Sequence, residues 1–333
     1  MIHQRSAVAT RIRSLPSPRT PQFEMASPLN IDYSGFSEKD IAGMEEVTRP
    51  AAKALLLHIG LLPVPPSNAV VLDNASGRGV VASVLFNDAA RFLPTRPPER
   101  PPPPRPVPTA DRPAPTPTPG GSKSPRQAHR RRSSAALKTS DLRVVCADRE
   151  ESMVRSAREI ISSQGWNAEA VLADAQALPF PDNHFTHTLM NFAMQLIDDP
   201  ALAAKESLRV LRRGGQAGFT SWFRPGWLEA LKIAVPEFSL SLPPGTVVTM
   251  STPDSAARVL ADAGFTDIKV EPFKFQVEHD VHYSLSHWKQ FFGATALSGD
   301  AGEKYDAYMK ERSGDVGNFF LTWECLLVTG RKP

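Results

Sequence analysis

The sequence VVLDNASGRGVVASVLF, from Val70 to Phe86, runs from an apolar strand pattern through a glycine turn into a helix pattern. Gly77, Gly79 and Ala82 satisfy the spacing G-x-G-x-x-G/A, which lets backbone N–H groups approach a bound molecule where a helix begins. A strand, a tight turn and a helix in this order form the opening unit of a parallel α/β sheet. This stretch therefore predicts both the class of fold and the place of a ligand site.

Strand and helix patterns alternate along the rest of the chain, as in a mostly parallel sheet covered on both faces. One helix pattern ends at Gly165. Another begins with Asp199 and Pro200, and it is predicted to end with Arg212, Arg213 and a double glycine. No crossover helix pattern directly links the last two strands, which favours an antiparallel edge. Strands are predicted at 70–73, 143–147, 169–173, 185–190, 216–221, 268–277 and 321–329.

A proline tract interrupts this alternation. Residues 94–125 contain 14 of the 32 prolines, a composition typical of extended or disordered chain. We therefore predict a Pro- and Arg-rich disordered insertion at 91–138 within a single domain formed by 31–90 and 139–333, preceded by a disordered tail at 1–30. A disordered linker, a docking segment for SH3 or WW-type partners, and a retained intron would each explain the insertion. Its low complexity and its match to no part of the fold favour the intron.

Charge is distributed unevenly along the chain. Residues 91–138 carry a net charge of +9 and residues 1–23 carry +4, so the remainder has a net charge of −10 although the whole chain is +3. An acidic folded part lacks the clustered basic face that nucleic-acid phosphates require, so no nucleic-acid partner is predicted. No apolar run approaches the roughly 18 residues of a membrane span, so no membrane partner is predicted either.

The two cysteines, Cys146 and Cys325, each lie within an apolar run and are predicted to be buried free thiols. Such a pair is typical of a reducing compartment, which favours the cytoplasm. Residues 1–23 carry four arginines and no acid, as a mitochondrial transit peptide would, although a disordered tail is the preferred interpretation.

Two acidic residues end the first two strands that flank the turn. Asp73 would repel a pyrophosphate but attract an α-ammonium group, directly or through water, which favours S-adenosylmethionine over a nicotinamide or flavin dinucleotide. Asp148 ends the next strand and is placed to accept from both hydroxyls of a ribose. Both ligand classes need this acid, so Asp148 indicates an adenosine cofactor without choosing between them.

Three motifs follow one another along the chain: DNASGRG, CADREESMV and DAQALPFPDNHF, with ESLRVLRRGG after them. With these motifs the sequence resembles the class I S-adenosylmethionine-dependent methyltransferases, in particular their small-molecule, type 11/25-like branch. The resemblance covers about 67–90, 140–277 and the final strand. It implies a Rossmann-like, doubly wound seven-stranded sheet of order 3-2-1-4-5-7-6 with the last strand antiparallel, and a cofactor across the carboxyl ends of strands 1, 2 and 4.

The resemblance also implies roles for particular residues. Asp174 would accept from the adenine amino group, and the Ala175 N–H would face a ring nitrogen. Tyr33 precedes an amphipathic helix that often caps the cofactor in this family. Arg78 departs from the family pattern, in which a small residue is commoner between the two glycines. The predicted cofactor-binding residues are Asp73, Ala75, Gly77, Gly79, Asp148, Arg149, Met153, Asp174, Ala175, Asn191 and Tyr33.

The acceptor is expected beside the ends of strands 4 and 5. Trp222, Phe223 and Trp227 are predicted to form an aromatic wall for a planar or apolar acceptor. Phe192, directly after strand 4, either lines this site or packs in the core.

The histidines offer only candidate bases. An acceptor hydroxyl, thiol or protonated amine needs a base, and His58 and His282 are the residues considered for that role. His187 is predicted to be structural. No spacing of His, Cys, Asp and Glu forms a convincing metal site, so no metal is predicted.

Together these features predict an S-adenosylmethionine-dependent methyltransferase that methylates O, N or S of a small molecule, with a secondary metabolite as one candidate acceptor. In-line methyl transfer depends mainly on positioning in a dry site, so no dedicated catalytic residue is required. The alternative is a catalytically inactive, methyltransferase-like binding or regulatory protein. An oxidoreductase is disfavoured by Asp73 and by the third motif.

Overall fold

The computed structural model describes residues 37–92, 142–234, 250–280, 300–314 and 317–333. Its strands are β1 Val70–Asn74, β2 Arg143–Asp148, β3 Ala168–Leu172, β4 Phe185–Asn191, β5 Leu211–Arg224, β6 Thr266–Asp280 and β7 Asn318–Arg331. They form one sheet of order β3-β2-β1-β4-β5-β7-β6, in which β1 to β5 are parallel and β7 is antiparallel to both neighbours. The predicted fold class, strand order and antiparallel last strand are confirmed.

Local capping chemistry sets the ends of the flanking helices. Ser37 and Asp40 form reciprocal capping bonds at the start of the first helix. The Asp199 carboxylate accepts from the Leu202 N–H at 2.9 Å, and Gly165 ends the third helix in a left-handed conformation with φ 65°. The helices in the described residues are α1 Glu38–His58, α2 Val80–Phe92, α3 Glu151–Gln164, α4 Pro200–Val210, α5 Gly226–Ala234, α6 Pro253–Ala263 and α7 Asp300–Ser313.

No helix within these described ranges combines the length and apolar character that a membrane span requires.

The predicted end of α4 is wrong. Arg212 and Arg213 do not belong to the helix, because α4 ends at Val210 and β5 begins at the buried residue Leu211, which has extended backbone. The double glycine lies inside β5. A β-carbon at Gly215 would lie 2.8 Å from the Arg212 carbonyl oxygen, so the close backbone approach there requires glycine.

Strands β1 and β2 pair although 68 residues separate Asn74 from Arg143 in the chain. Their register runs from Val70 opposite Arg143 to Asn74 opposite Ala147. In a parallel unit the connecting helix returns to the edge where the next strand starts. The end of α2 and the start of β2 therefore lie at the amino edge of the sheet, opposite to the edge where β1 ends.

Apolar side chains cover both faces of the sheet. One cluster joins α1, α2 and α3 to the sheet, and a second joins α4 and α6 to the other face. Helix α1 approaches β5 closely, because a β-carbon at Gly218 would lie only 3.1 Å from Leu55 Cδ1. The second half of α1 is thus part of the core.

Leu55→Ala is expected to lower the free energy of unfolding by about 2 to 5 kcal/mol, because the fully buried side chain would leave a cavity between α1 and the sheet. Leu57, on the same helix but 49% exposed, is the matched control, and Leu57→Ala should change stability by less than about 0.5 kcal/mol. Urea denaturation of the full chain measures both. Equal losses in the two variants would contradict this placement of α1.

Candidate functional site

A cleft of about 240 Å³ lies at the carboxyl edge of the sheet. It lies by the neighbouring strands β1 and β4, where the strand order reverses, which is where doubly wound sheets bind ligands. The loops that follow β1, β2, β3 and β4 form its walls, together with one end of α1. The lining residues used below come from 41–48, 75–81, 148–153, 173–176, 191–197 and Trp222.

Eight of the predicted cofactor-binding residues line this cleft. Tyr33, also predicted to bind the cofactor, lies outside the described residues, as does the candidate base His282. The predicted roles of the eight stay predictions. The eight are Ala75, Gly77, Asp148, Arg149, Met153, Asp174, Ala175 and Asn191.

The glycine turn is folded back against the end of β2. Gly77 and Gly79 adopt left-handed backbone conformations, with φ 56° and φ 92°, which glycine adopts without a steric penalty. The Ser76 N–H donates to the Ala147 carbonyl at 2.9 Å, and the Gly77 N–H donates to Asp148 Oδ2 at 2.7 Å. Gly79 itself is buried behind the turn, so it shapes the site without lining it.

Asp148 connects the turn to the start of α3. Its Oδ1 accepts from the Glu150 N–H at 2.9 Å while Oδ2 accepts from Gly77. Burial raises the pKa of the Asp148 carboxyl, and these two backbone hydrogen bonds oppose that shift. A carboxylate has about four lone-pair positions, so Asp148 retains capacity for the hydroxyls of a ligand.

The sequence predicts that Asp73 contacts a ligand either directly or through water. Asp73 is 1% exposed and does not line the cleft, because its carboxylate lies beneath the turn and accepts from the backbone N–H of Ala82 in the first turn of α2. Burial raises the pKa of Asp73 well above its usual range. Of the two possibilities left open for Asp73, only contact through water agrees with this position.

Two residues of α4 hold the loop after β3 in place, and they were missed among the predicted site residues. Arg209 donates to the carbonyls of Leu178 and Phe180 at 2.9 and 2.8 Å. Glu206 accepts from the Leu178 N–H at 2.8 Å and pairs with Arg209 at 2.7 Å. The motif ESLRVLRRGG contains both residues, but the sequence did not indicate that they hold this loop. Together they fix the loop that carries Asp174 and Ala175.

Aromatic rings line the other end of the cleft. Phe192 has a left-handed backbone, φ 57°, and its N–H donates to Thr220 Oγ1 at 2.9 Å. The Thr220 hydroxyl in turn donates to Asn191 Oδ1 at 2.7 Å. Trp222 stacks on Phe192 with 3.8 Å between ring centroids, and both rings line the cleft. A bulky residue with positive φ is uncommon and marks a locally strained site.

Phe223 does not belong to this wall. Strand β5 continues to Arg224, so neighbouring side chains point to opposite faces of the sheet. Phe223 packs with the cluster on the α4 and α6 side, and the Arg224 guanidinium lies 5.0 Å from its ring centroid. Trp227 lies in α5, and its assignment to the acceptor site stays a prediction.

His58, named above as a candidate base, lies away from the cleft. It lies at the last residue of α1, where its Nδ1 is 3.6 Å from Glu271 Oε2, and it does not line the cleft. It lies ten helix positions beyond Thr48, the nearest lining residue of α1, a distance of about 15 Å along the helix. Instead α1 contributes Ile41, Met44, Glu45 and Thr48 to the cleft. Within the described ranges, no three His, Cys, Asp or Glu residues group as metal ligands.

Residues 131–219 match the family model described as "Methyltransferase domain". This part of the chain belongs to a methyltransferase domain. The matched range carries Asp148 and Asp174 but begins after the glycine turn. The register of β1 against β2 places that turn at the same edge of the methyltransferase domain.

Curated relatives share parts of this domain. The acetylaranotin bis-thiomethyltransferase of Aspergillus terreus is 27% identical over 204 residues, which is 61% of this chain and 53% of the relative. The ubiquinone/menaquinone biosynthesis C-methyltransferase UbiE of Yersinia enterocolitica is 33% identical over 122 residues, 36% of this chain and 48% of UbiE. The chain thus spans about half the length of these relatives.

A solved structure described as a SAM-dependent methyltransferase from Aquifex aeolicus is 16% identical, with 90% of this chain and 100% of that chain covered. Its TM-score is 0.45.

The residues of the methyltransferase domain fit S-adenosylmethionine. Carboxylates of Asp148 and Asp174 offer hydrogen-bond acceptors at two separate places on the cleft wall. Beneath the turn, Asp73 Oδ2 and both polar atoms of the Asn74 amide are buried without hydrogen-bond partners. Unsatisfied buried polar atoms are costly, and a positively charged ligand with bridging water would satisfy them.

His187 of the methyltransferase domain is held neutral in the sheet. It is 8% exposed, and its Nδ1 lies 2.9 Å from Thr186 Oγ1. Burial, with a smaller contribution from Arg331, lowers its pKa to about 4. The structural role predicted for His187 agrees with this position.

This shift predicts how stability depends on pH. The unfolded chain binds the His187 proton more tightly, so the stabilisation is complete above about pH 6.5 and is lost as pH falls towards 4. Between pH 7 and pH 4.5, His187→Gln should therefore lose about 2 kcal/mol less unfolding free energy than the unmodified protein. Urea denaturation at both pH values measures this, with half-buried His184→Gln as control. Equal pH dependence in all three proteins would contradict the assignment.

Proposed function

We propose that this chain is an S-adenosylmethionine-dependent methyltransferase acting on a small molecule. The observation that carries the proposal is that the glycine turn, Asp148 and the Asp174 loop share one cleft with the stacked rings of Phe192 and Trp222. One end of the cleft is thus polar and the other apolar, as a charged nucleoside donor and an apolar acceptor require.

Each part of the cleft has a separate task in this proposal. The backbone of the turn at 75–79 would hold the amino-acid end of the cofactor, Asp148 the ribose, and Asp174 with the Ala175 N–H the adenine. When bound, S-adenosylmethionine supplies a methyl group on a positively charged sulfur. The chain contributes alignment and exclusion of water, through the apolar lining and the end of α1.

The acceptor end favours a nucleophile that needs no strong base. Leu196 and Ile197, which follow β4 and line the cleft, are apolar. A thiol ionises close to neutral pH, whereas an alcohol requires a base to become a good nucleophile. The name of the Aspergillus terreus relative also points to sulfur. We therefore propose a thiol of a small, partly aromatic metabolite as the acceptor, ahead of oxygen or nitrogen.

Calorimetric titration of the full chain with S-adenosylmethionine, S-adenosylhomocysteine and NADH tests the cofactor. Binding of the two sulfur ligands and not of NADH is expected. Transfer of a radiolabelled methyl group to a panel containing an aromatic thiol, a phenol, an aniline and a quinol then tests the acceptor. Binding without transfer to any member would favour the non-catalytic alternative, in which the domain serves as a binding or regulatory module.

Asp148→Ala is expected to weaken S-adenosylhomocysteine binding by about 10- to 150-fold, since hydrogen bonds to a charged group are worth about 1.5 to 3 kcal/mol. Glu169→Ala is the matched control, because Glu169 is an exposed carboxylate on β3 that pairs with Arg143 at 3.1 Å outside the cleft. Calorimetry measures both affinities, and a melting curve checks that each variant is folded. Unchanged affinity in folded Asp148→Ala would refute the ribose assignment.

A further inference from the structure

Helix α1 consists of two differently anchored halves. In its rear half, which begins at Val47, Ala51, Ala52, Leu55 and Leu56 are fully buried. In its front half, 38–46, no residue is buried. The rear half is therefore held by the core, and the front half must be held by something else.

Pro50 lies close to the junction of the two halves. Proline has no backbone N–H, so Pro50 cannot donate to the carbonyl of Glu46 four residues earlier. A helix bends most easily where such a bond is missing. The front half can therefore move relative to the rear half without unfolding it.

The front half covers the cleft. Ile41, Met44 and Glu45 line the cavity together with residues of the glycine turn and of β2. If the front half moved away from the turn, this wall of the cleft would open to solvent.

One side chain from the glycine turn holds the front half down. Arg78 Nε donates to Glu45 Oε1 at 2.8 Å and Arg78 Nη2 donates to Glu45 Oε2 at 3.1 Å, a two-pronged contact. Arg78 also pairs with Glu38. The side chains of Arg78 and Glu45 are only 12% and 19% exposed, whereas that of Glu38 is 80% exposed. Glu45 is therefore the partner that matters, because exposed ion pairs contribute little.

We infer that Arg78 is a positioning residue that clamps the front half of α1 over the cleft and so controls how fast a ligand leaves it. This ligand is the cofactor of the proposed function, so the inference about its release rests on that proposal. The clamp explains why an arginine stands at a position where small residues are commoner. The backbone of Arg78 belongs to the turn under the ligand, and its side chain reaches the helix above. The Glu45 hydrogen bonds also raise the pKa of Arg78, so the clamp stays charged.

Removing the clamp should loosen the front half and speed ligand release. Arg78→Ala is expected to increase backbone hydrogen exchange at residues 42–49 by about tenfold in the ligand-free full chain. It should also increase the release rate of S-adenosylhomocysteine by about tenfold, which is ~1.4 kcal/mol. Arg78→Lys should fall between Arg78→Ala and the unmodified protein, because lysine keeps the charge but not the two-pronged geometry.

Lys53→Ala provides the matched control. Lys53 Nζ lies 2.7 Å from Asp88 Oδ2, so Lys53 also forms an ion pair that anchors α1, but this pair joins α1 to α2 and lies in the half that the core holds. Exchange at 42–49 and ligand release should not change in this variant. Glu45→Gln is a second test of the clamp from the other side, should Arg78→Ala fail to fold.

Mass spectrometry measures the exchange, and stopped-flow tryptophan fluorescence, to which Trp222 in the cleft contributes, follows release. Unchanged exchange at 42–49 in Arg78→Ala, or equal effects of Arg78→Ala and Lys53→Ala, would overturn the clamp. If the unmodified protein does not bind S-adenosylhomocysteine, the proposed cofactor and the control of its release both fail. Faster exchange in ligand-free Arg78→Ala would still establish the clamp on the helix.

Discussion

The hydrogen bond from the Gly77 N–H to the Asp148 carboxylate, 2.7 Å long, is the contact on which the site depends. It ties the loop after β1 to the end of β2. The same carboxylate accepts from the Glu150 N–H and so fixes the start of α3. One side chain thus determines the relative positions of a turn, a strand and a helix. The group proposed to bind ribose is therefore already oriented before a ligand arrives, which lowers the entropy cost of binding.

The two ends of the cleft are stabilised in different ways. At the end near β1, β2 and β3, backbone N–H groups and carboxylates hold the loops, and Arg209 with Glu206 supports them from behind. At the end near β4 and β5, the chain from Phe192 through Thr220 to Asn191 fixes a strained residue against Trp222. The first arrangement suits recognition of hydroxyl and amino groups, and the second leaves an apolar surface. The boundary between the polar end and the apolar end of the cleft lies between β1 and β4, where the strand order reverses.

The sequence predicted the sheet well because strand patterns and helix caps are local signals. The sheet order came from the resemblance to a known family, and the motifs that carry this resemblance contain seven of the eight predicted residues that line the cleft. The errors have physical causes that lie beyond local pattern. Asp73 lies one residue before the end of β1, close to the predicted strand end, but the turn folds over it. The strand was predicted to end at residue 221, before Phe223, whereas β5 extends to Arg224. Because side chains alternate between the two faces along a strand, the ring of Phe223 points away from the cleft. His58 lies on the correct helix but about 15 Å along it from the nearest cleft residue, Thr48.

The point at which α2 ends and β2 begins has a consequence for how this domain can vary. It lies at the amino edge of the sheet, and every residue that lines the cleft near the sheet lies at the carboxyl edge. The length of chain between Phe92 and Leu142 can change without moving a ligand contact, since the pairing of β1 with β2 fixes both strands. In engineering, this edge therefore offers a place to insert a reporter at a distance from the site.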